Sequence, residues 1–219
     1  MMPNEYNKGV AFICEGDTEK EFYLSLLNYF CTKYSKELKK TINDQETDII
    51  YELIGRGEKS IIKFHIAGSI TGMPRTSNWF EVQCVKNCGS KTPWHVFLCY
   101  DTDSYTDCIT PFYKGDWIDL RNKLKKAKSI IDLAAAADIE DIMLVDIVGV
   151  CSFIGHTIVS AESIPGRKGA AKMKKIYRDC GRSYHKGERA REMIDSLNKQ
   201  LIVDSNIIEL KKIEELLFM

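Results

Sequence analysis

The chain has 219 residues, in which 31 Lys and Arg balance 31 Asp and Glu, and 44% of the residues are hydrophobic. This composition is typical of a folded globular protein and excludes a disordered chain. No apolar run reaches the roughly 18 residues of a membrane span, and the N-terminal residues lack the pattern of a signal peptide. The sequence therefore predicts a cytoplasmic protein without a membrane segment. The zero net charge argues against coating of nucleic acid by charge alone.

The first part of the chain alternates between apolar runs and amphipathic segments. Strands are predicted over 8–14, 48–54, 94–100 and 129–134, with a strand or short helix over 61–66. Helices are predicted from Gly16 onward, over 79–88 and over 116–128, with a loop over 68–76. Such alternation predicts an α/β fold with a mainly parallel sheet flanked by helices.

From residue 138 onward the sequence shows helical patterns only. The predicted helices cover 140–148, 149–154, 168–179, 186–201 and 206–217. We therefore divide the chain into an α/β core, residues 1–137, and a helical C-terminal extension, residues 138–219, that packs on the core. The boundary is not sharp, because nothing polar and flexible separates the two parts.

Acidic side chains directly follow two of the predicted strands. Glu15 comes after the run 8–14, and Asp101 and Asp103 come after the run 94–100. Sites in α/β sheets form at the carboxyl ends of the strands, and alternate residues of an extended segment point the same way. Carboxylate oxygens arranged like this suit Mg²⁺. Each cluster by itself is more typical of an ordinary turn or helix cap than of a metal site.

Together the two acidic motifs resemble the Toprim domain. They are Glu15-Gly16-Asp17-Thr18-Glu19, followed by Phe22-Tyr23, and Tyr100-Asp101-Thr102-Asp103. The pair is most similar to small Toprim proteins related to the overcoming-lysogenization-defect nucleases, many of which are associated with phage defence. The resemblance spans roughly residues 8–150 and implies a Toprim-like, Rossmann-like fold. It further implies a Mg²⁺- or Mn²⁺-dependent nuclease acting on DNA or RNA, with Glu15 as general acid or base and Asp101 and Asp103 as metal ligands.

Two more acidic residues are candidate ligands. Glu19 is either a further metal ligand or an acidic residue that offsets the dipole of its helix. Glu140, which follows the last predicted strand, is the candidate ligand of a second metal. We prefer it to Asp141 because successive helical residues diverge by about 100°. A charged helix start explains Glu140 equally well.

The segment 166–191 contains ten Lys and Arg against two acidic residues. Such a surface would neutralise phosphates of DNA or RNA, and Tyr177, Tyr184 and His185 would stack on bases. Lys186 would reach the scissile phosphate as a catalytic point charge. A solvated helical face with buried aromatic rings is the alternative. The predicted nucleic-acid-binding residues are Arg167, Lys168, Lys172, Lys175, Arg182, Lys186 and Arg189.

The remaining motifs exclude several other sites. The eight cysteines are expected to be core residues, and Cys84 and Cys88 lack the second pair of a zinc finger. No phosphate-binding loop is present, so an ATPase would be a separate partner. The alternative to a nuclease is a Toprim-like module that binds nucleic acid or such a partner without catalysis. The sequence leaves open the substrate nucleic acid, the trigger, and whether the protein forms a homodimer.

Overall fold

The structure is a computed structural model, and it describes residues 6–42, 49–55, 57–88, 91–103 and 114–219. Within these ranges six strands form one sheet. The strands are β1 Lys8–Cys14, β2 Glu37–Ile42, β3 Ile49–Gly55, β4 Glu58–Ile66, β5 Trp94–Asp101 and β6 Ser129–Ala135.

The strands lie in the order β2-β3-β4-β1-β5-β6. Strand β1 pairs in parallel with β4 and β5, and β5 pairs in parallel with β6. The pairs β2–β3 and β3–β4 are antiparallel. The sheet is therefore mixed, and the predicted α/β class is confirmed.

Helices cover both faces of the sheet. In the described ranges the α-helices are α1 Asp17–Tyr34, α2 Ser77–Trp79, α3 Lys114–Lys123, α4 Ile139–Met143, α5 Ile147–Ile154, α6 Gly169–Asp179, α7 Arg191–Ser196, α8 Lys199–Asp204 and α9 Lys211–Leu217. A π-helix spans Phe80–Lys86, and 3-10 helices span Ile70–Arg75, Leu144–Asp146, Ala161–Ser163 and Gly187–Ala190. None of the helices in this part of the chain combines the length and the apolar character that a bilayer crossing needs.

Several elements differ from the prediction; for example, the predicted helix 206–217 begins only at Lys211. Strand β2 was not predicted, and it forms the outer edge of the sheet beside β3. The predicted loop 68–76 contains a 3-10 helix. The predicted helix 186–201 is interrupted at Leu197, whose backbone is extended, and Asn198 then caps α8 by accepting a hydrogen bond from the backbone N–H of Leu201 at 3.0 Å. Asp48, the first residue of a predicted strand, and Cys108, one of the cysteines expected in the core, lie outside the described residues.

Two hydrophobic clusters lie on opposite faces of the sheet. Side chains of β1 alternate between them, with Phe12 in one cluster and Ile13 in the other. The rings of Phe12 and Phe97 stack with centroids 5.0 Å apart. The first cluster contains α1 and the helices of the C-terminal part, and the second contains Phe80 and the 3-10 helix before it. The extension therefore shares a core with the sheet.

Candidate functional site

The candidate site lies at the edge of the sheet where β1, β4, β5 and β6 end. These strands are parallel, so their carboxyl ends meet at one edge. Helix α1, which follows β1, packs on one face of the sheet, and helix α3, which follows β5, packs on the other. Such a divergence opens a crevice between strand ends, here between β1 and β5, and ligands bind in crevices of this kind.

An open cavity of about 310 Å³ occupies this crevice. The backbone N–H of Asp101 donates a hydrogen bond to Oε2 of Glu15 at 3.1 Å, so the two acidic residues lie side by side. Helix α1 and the segment before α7 form the other walls. The lining residues are Glu15, Gly16, Asp17, Thr18, Glu19, Gly68, Asp101, Lys186 and Gly187. The structure thus brings together four of the residues that the sequence predicted.

Asp101 carries an unpaired carboxyl oxygen. Its Oδ1 atom is buried and has no hydrogen-bond partner among the described residues. Burial raises the pKa of Asp101 to about 9, and the nearby carboxylates of Glu19 and Glu15 add to the effect. The carboxyl group therefore keeps its proton at neutral pH.

Glu15 lies in a different environment. Burial raises its pKa, but backbone N–H groups of Asp101 and Ile70 and the charge of Lys186 act in the opposite direction. Hydrogen bonds to a carboxylate favour its ionised form. Burial also raises the pKa of Glu19 to about 7. Asp101 and Glu19, which line the same cavity, therefore release their protons at different pH values.

Asp103 does not join this group. Its backbone is left-handed, with φ of 58°, and its N–H donates a hydrogen bond to the carbonyl oxygen of Ala137 at 3.0 Å. The carboxylate of Asp103 pairs with Lys168 instead of lining the cavity. The alternation that the prediction used applies to extended backbone, and the chain leaves the strand at Asp101.

Glu140 is fully buried and has partners of its own. The hydroxyl of Tyr184 donates to Oε1 of Glu140 at 3.1 Å, and Nζ of Lys186 lies 2.9 Å from the same oxygen. Lys186 therefore approaches the cavity as the partner of a buried carboxylate. Its predicted contact with a scissile phosphate stays untested.

The prediction of a bound Mg²⁺ or Mn²⁺ ion was wrong. Across the ranges that the structure describes, no three His, Cys, Asp or Glu side chains form a group that could hold a metal ion. Asp103 is turned away, Glu140 is held by Lys186, and Asp101 keeps its proton. The predicted ligand set of Glu15, Glu19, Asp101, Asp103 and Glu140 therefore does not converge on one point.

Some of the basic residues of 166–191 pair with acidic side chains. Lys168 pairs with Asp103 and Lys175 pairs with Asp179. Arg167, Arg182 and Arg189 are exposed, whereas Lys172 is partly buried. Arg189 lines a second cavity, of about 380 Å³, together with His185 and Lys186.

The predicted stacking of tyrosines on bases was wrong. Tyr177 and Tyr184 are buried against each other, with ring centroids 5.3 Å apart. Only His185 of the three aromatic candidates is exposed. The nucleic-acid partner itself stays a prediction, as do the partner ATPase and the homodimer.

Sequence reasoning did not assign Asp138 to the site, and it did not predict the contact of Tyr184 with Glu140. Asp138 is buried at the end of β6, and its charge contributes to the raised pKa of Asp101. The rule that selected Glu15 and Asp101, an acidic residue shortly after a strand, also points to Asp138. Tyr184 carries no comparable signal, because only the folded chain brings its hydroxyl to Glu140.

No protein-family model and no curated protein matches the chain. Solved structures similar to it include futalosine hydrolase of Helicobacter pylori strain 26695, with 8% identity, a TM-score of 0.31 and coverage of 97% of this chain and 100% of that chain. A second is MTAN of Helicobacter pylori, with 10% identity, a TM-score of 0.30 and coverage of 96% and 100%. A third is the 5′-methylthioadenosine/S-adenosyl homocysteine nucleosidase of Campylobacter jejuni, with 10% identity, a TM-score of 0.29 and coverage of 95% and 99%.

These findings correct the Toprim prediction. The similar structures are hydrolases of nucleosides and of futalosine, and no family model supports a Toprim domain. The predicted Toprim nuclease, its non-catalytic Toprim-like alternative and the role in phage defence were therefore wrong. TM-scores of 0.29 to 0.31 are too low to assign the fold family or the activity of this chain.

Proposed function

We propose that the cavity between β1 and β5 is a general acid–base site that hydrolyses a glycosidic bond of a small polar substrate. The observation that carries the proposal is the buried, unpaired Oδ1 of Asp101 beside the hydrogen-bonded carboxylate of Glu15. Asp101 is kept neutral by its environment. Burial also raises the pKa of Glu15, but backbone N–H groups and the charge of Lys186 favour its ionised form. Pairs of titratable groups separated in this way divide into an acid and a base.

Hydrolysis of glycosidic bonds is one reaction class that two carboxyl groups perform. Asp101 would donate its proton to the leaving oxygen or nitrogen as the bond to the sugar carbon breaks. Glu15 would stabilise the positive charge on the sugar and accept a proton from the attacking water. The products are the free sugar and the protonated leaving group, and a later proton exchange with solvent restores both carboxyl groups.

The polar character of the cavity fits such a substrate. Carboxyl groups, Thr18 and Lys186 line an open space of about 310 Å³. Polar groups of this kind bind sugar hydroxyls and fix their orientation. Glycine at position 68 leaves part of the rim without a side chain.

Substitution of Asp101 by Asn tests the proposal. The wild type would be assayed against O-glycosides and ribonucleosides, with products separated by chromatography. We expect Asp101→Asn to lower kcat by about 10²- to 10⁴-fold, because it removes the proton that the leaving group needs. The wild-type rate should fall as the pH rises through about 9, where Asp101 loses its proton.

Asp103→Asn is the matched control. It makes the same substitution two residues away, on an exposed side chain outside the cavity. We expect it to change kcat by less than about threefold, because an exposed charge contributes little. Equal losses in the two variants, or no turnover of any glycoside by the wild type, would contradict the proposal.

A further inference from the structure

We propose that the ammonium group of Lys186 favours the ionised form of Glu15 in the cavity. Glu140 and Tyr184 are positioning residues that hold this ammonium group in place. The inference rests on the proposed function, because it concerns the same carboxyl groups. It assigns a role to Lys186, a residue of the C-terminal part that lies near the carboxyl ends of the strands.

The first support is the contact of Lys186 with a buried carboxylate. Nζ of Lys186 lies 2.9 Å from Oε1 and 3.2 Å from Oε2 of Glu140, so both oxygens engage one ammonium group. Glu140 has no solvent exposure. A buried carboxylate without a partner is strongly destabilising, and the pair therefore holds Lys186 in a single place.

Tyr184 completes the polar contacts of Glu140. Its buried hydroxyl donates to Oε1 of Glu140 at 3.1 Å. This bond restricts rotation of the Glu140 carboxylate. The carboxylate in turn holds the ammonium group of Lys186 in one position. Half of the Lys186 side chain stays exposed, at 50%, and it lines the cavity.

The backbone next to Lys186 is attached to α1. The N–H of Gly187 donates to Oγ1 of Thr18 at 2.9 Å. Gly187 has a left-handed φ of 68°, and a Cβ atom at this position would lie 3.1 Å from Cβ of Asp17. Glycine therefore allows the segment to run close to the start of α1, which brings Lys186 to the acidic residues.

The ammonium faces titratable groups from every wall of the cavity. These are Asp17 and Glu19 of α1, Glu15 after β1, Asp101 at the end of β5, Asp138 and Glu140 after β6, and Tyr184 before Lys186 itself. Asp103 and its partner Lys168 lie at the rim and act on Glu15 and Asp101 through their charges.

The charge of Lys186 acts on these groups unequally. Burial raises the pKa of both Glu15 and Glu19, and Lys186 opposes this in each case. Asp101 keeps its proton because of burial and because Glu19 and Glu15 are negative beside it. Lys186 favours the ionised forms of Glu15 and Glu19, whose negative charges help Asp101 to keep its proton. The direct attraction between Lys186 and an ionised Asp101 acts against this effect. The charge of Lys186 therefore affects the protonation of both the acid, Asp101, and the base, Glu15.

Titration of the carboxyl groups by NMR, with ¹³C-labelled Asp and Glu, tests this role directly. In Lys186→Met we expect the acid dissociation constant of Glu15 to fall about tenfold, as expected for loss of a nearby opposite charge. Lys186→Arg keeps the charge and should restore most of the wild-type value. Glu140→Gln should shift Glu15 in the same direction as Lys186→Met, because the ammonium loses its anchor.

Lys175→Met is the matched control, since Lys175 pairs with Asp179 on α6 and does not line the cavity. Amide spectra of all variants report whether the fold is kept. A Glu15 titration in Lys186→Met equal to that in Lys175→Met would overturn the inference, and an unchanged titration in Glu140→Gln would overturn the positioning role. Either result leaves the proposed function standing if Asp101 still titrates near 9 in the wild type. An Asp101 that titrates in the usual acidic range would instead defeat the proposed function.

Discussion

At the scale of single residues, the carboxyl group of Asp101 is stabilised in its neutral form at the expense of folding stability. The unfolded chain ionises this group above a pH of about 4, whereas the folded protein holds the proton up to about 9. Folding therefore takes up a proton between these values, and the free energy of unfolding decreases as the pH rises.

Asp101→Asn should consequently be more stable than the wild type. We expect a gain in the free energy of unfolding of about 2–4 kcal/mol at pH 8 that disappears near pH 4, because Asn needs no proton. Urea unfolding at several pH values measures the difference. Asp103→Asn, at an exposed position, should stay within about 1 kcal/mol of the wild type. A variant that is less stable than the wild type at pH 8 would show that Asp101 is ionised in the fold.

The sequence identified some of the site residues and not others for a physical reason. Glu15 and Asp101 follow apolar runs, and a run that forms a buried strand carries its next residue to the sheet edge. Lys186 was selected for its charge, but the direction of its side chain depends on Glu140. Asp103 was misplaced because its backbone leaves the extended conformation at the end of β5.

At the scale of elements, Asp138 connects two helices. Its Oδ1 accepts a hydrogen bond from the N–H of Asp141 in α4, and its Oδ2 accepts one from the N–H of Ala170 in α6. A Cβ atom on Gly169 would lie 2.3 Å from the backbone nitrogen of Asp141, so the two helix starts are in close contact. One carboxylate thus caps both helices.

Asp138→Ala should cost more stability than loss of an ordinary cap. We expect the free energy of unfolding to fall by about 1–3 kcal/mol, since two helix starts lose their acceptor. Hydrogen exchange at the first amides of α6 should accelerate in parallel. Asn198→Ala removes the side-chain cap of α8 alone, and it should cost about half as much. An Asp138→Ala variant with no faster exchange in α6 would contradict the shared cap.

The strands that are buried on both faces were predictable because their residues form continuous apolar runs. Strand β2 was missed because it lies at the edge and carries three charged residues, Glu37, Lys39 and Lys40. The predicted helix 186–201 contains no proline that would announce its interruption. Its division at Leu197 follows from the packing of α7 and α8 in the first cluster.

At the scale of the whole molecule, the C-terminal part completes the core. Phe30 of α1 packs against Phe218, with ring centroids 5.4 Å apart. Nε of Arg191 donates to the buried carboxylate of Glu21 at 2.7 Å. Met173 and Ile194, from α6 and α7, belong to the same cluster as β1. The predicted division at residue 137 therefore cuts through a shared hydrophobic cluster.

A fragment of residues 1–137 should not fold by itself. Without the C-terminal helices, the apolar face of α1 would be exposed, and we expect no cooperative thermal transition and strong binding of a hydrophobic dye. Calorimetry and dye fluorescence, with the full chain as the control, measure this. A fragment that unfolds in one sharp transition would show that the α/β part is an independent domain.

The sequence by itself determined the α/β class and placed Glu15 and Asp101 at the ends of strands, because apolar runs, turns and helical spacing are local properties of the chain. Only the tertiary structure decided which charged groups meet. Lys186 and Tyr184 reach Glu140 from a distant segment, and Asp103 turns outward to Lys168. Protonation follows burial and neighbouring charges, and both of these arise only when distant segments pack together.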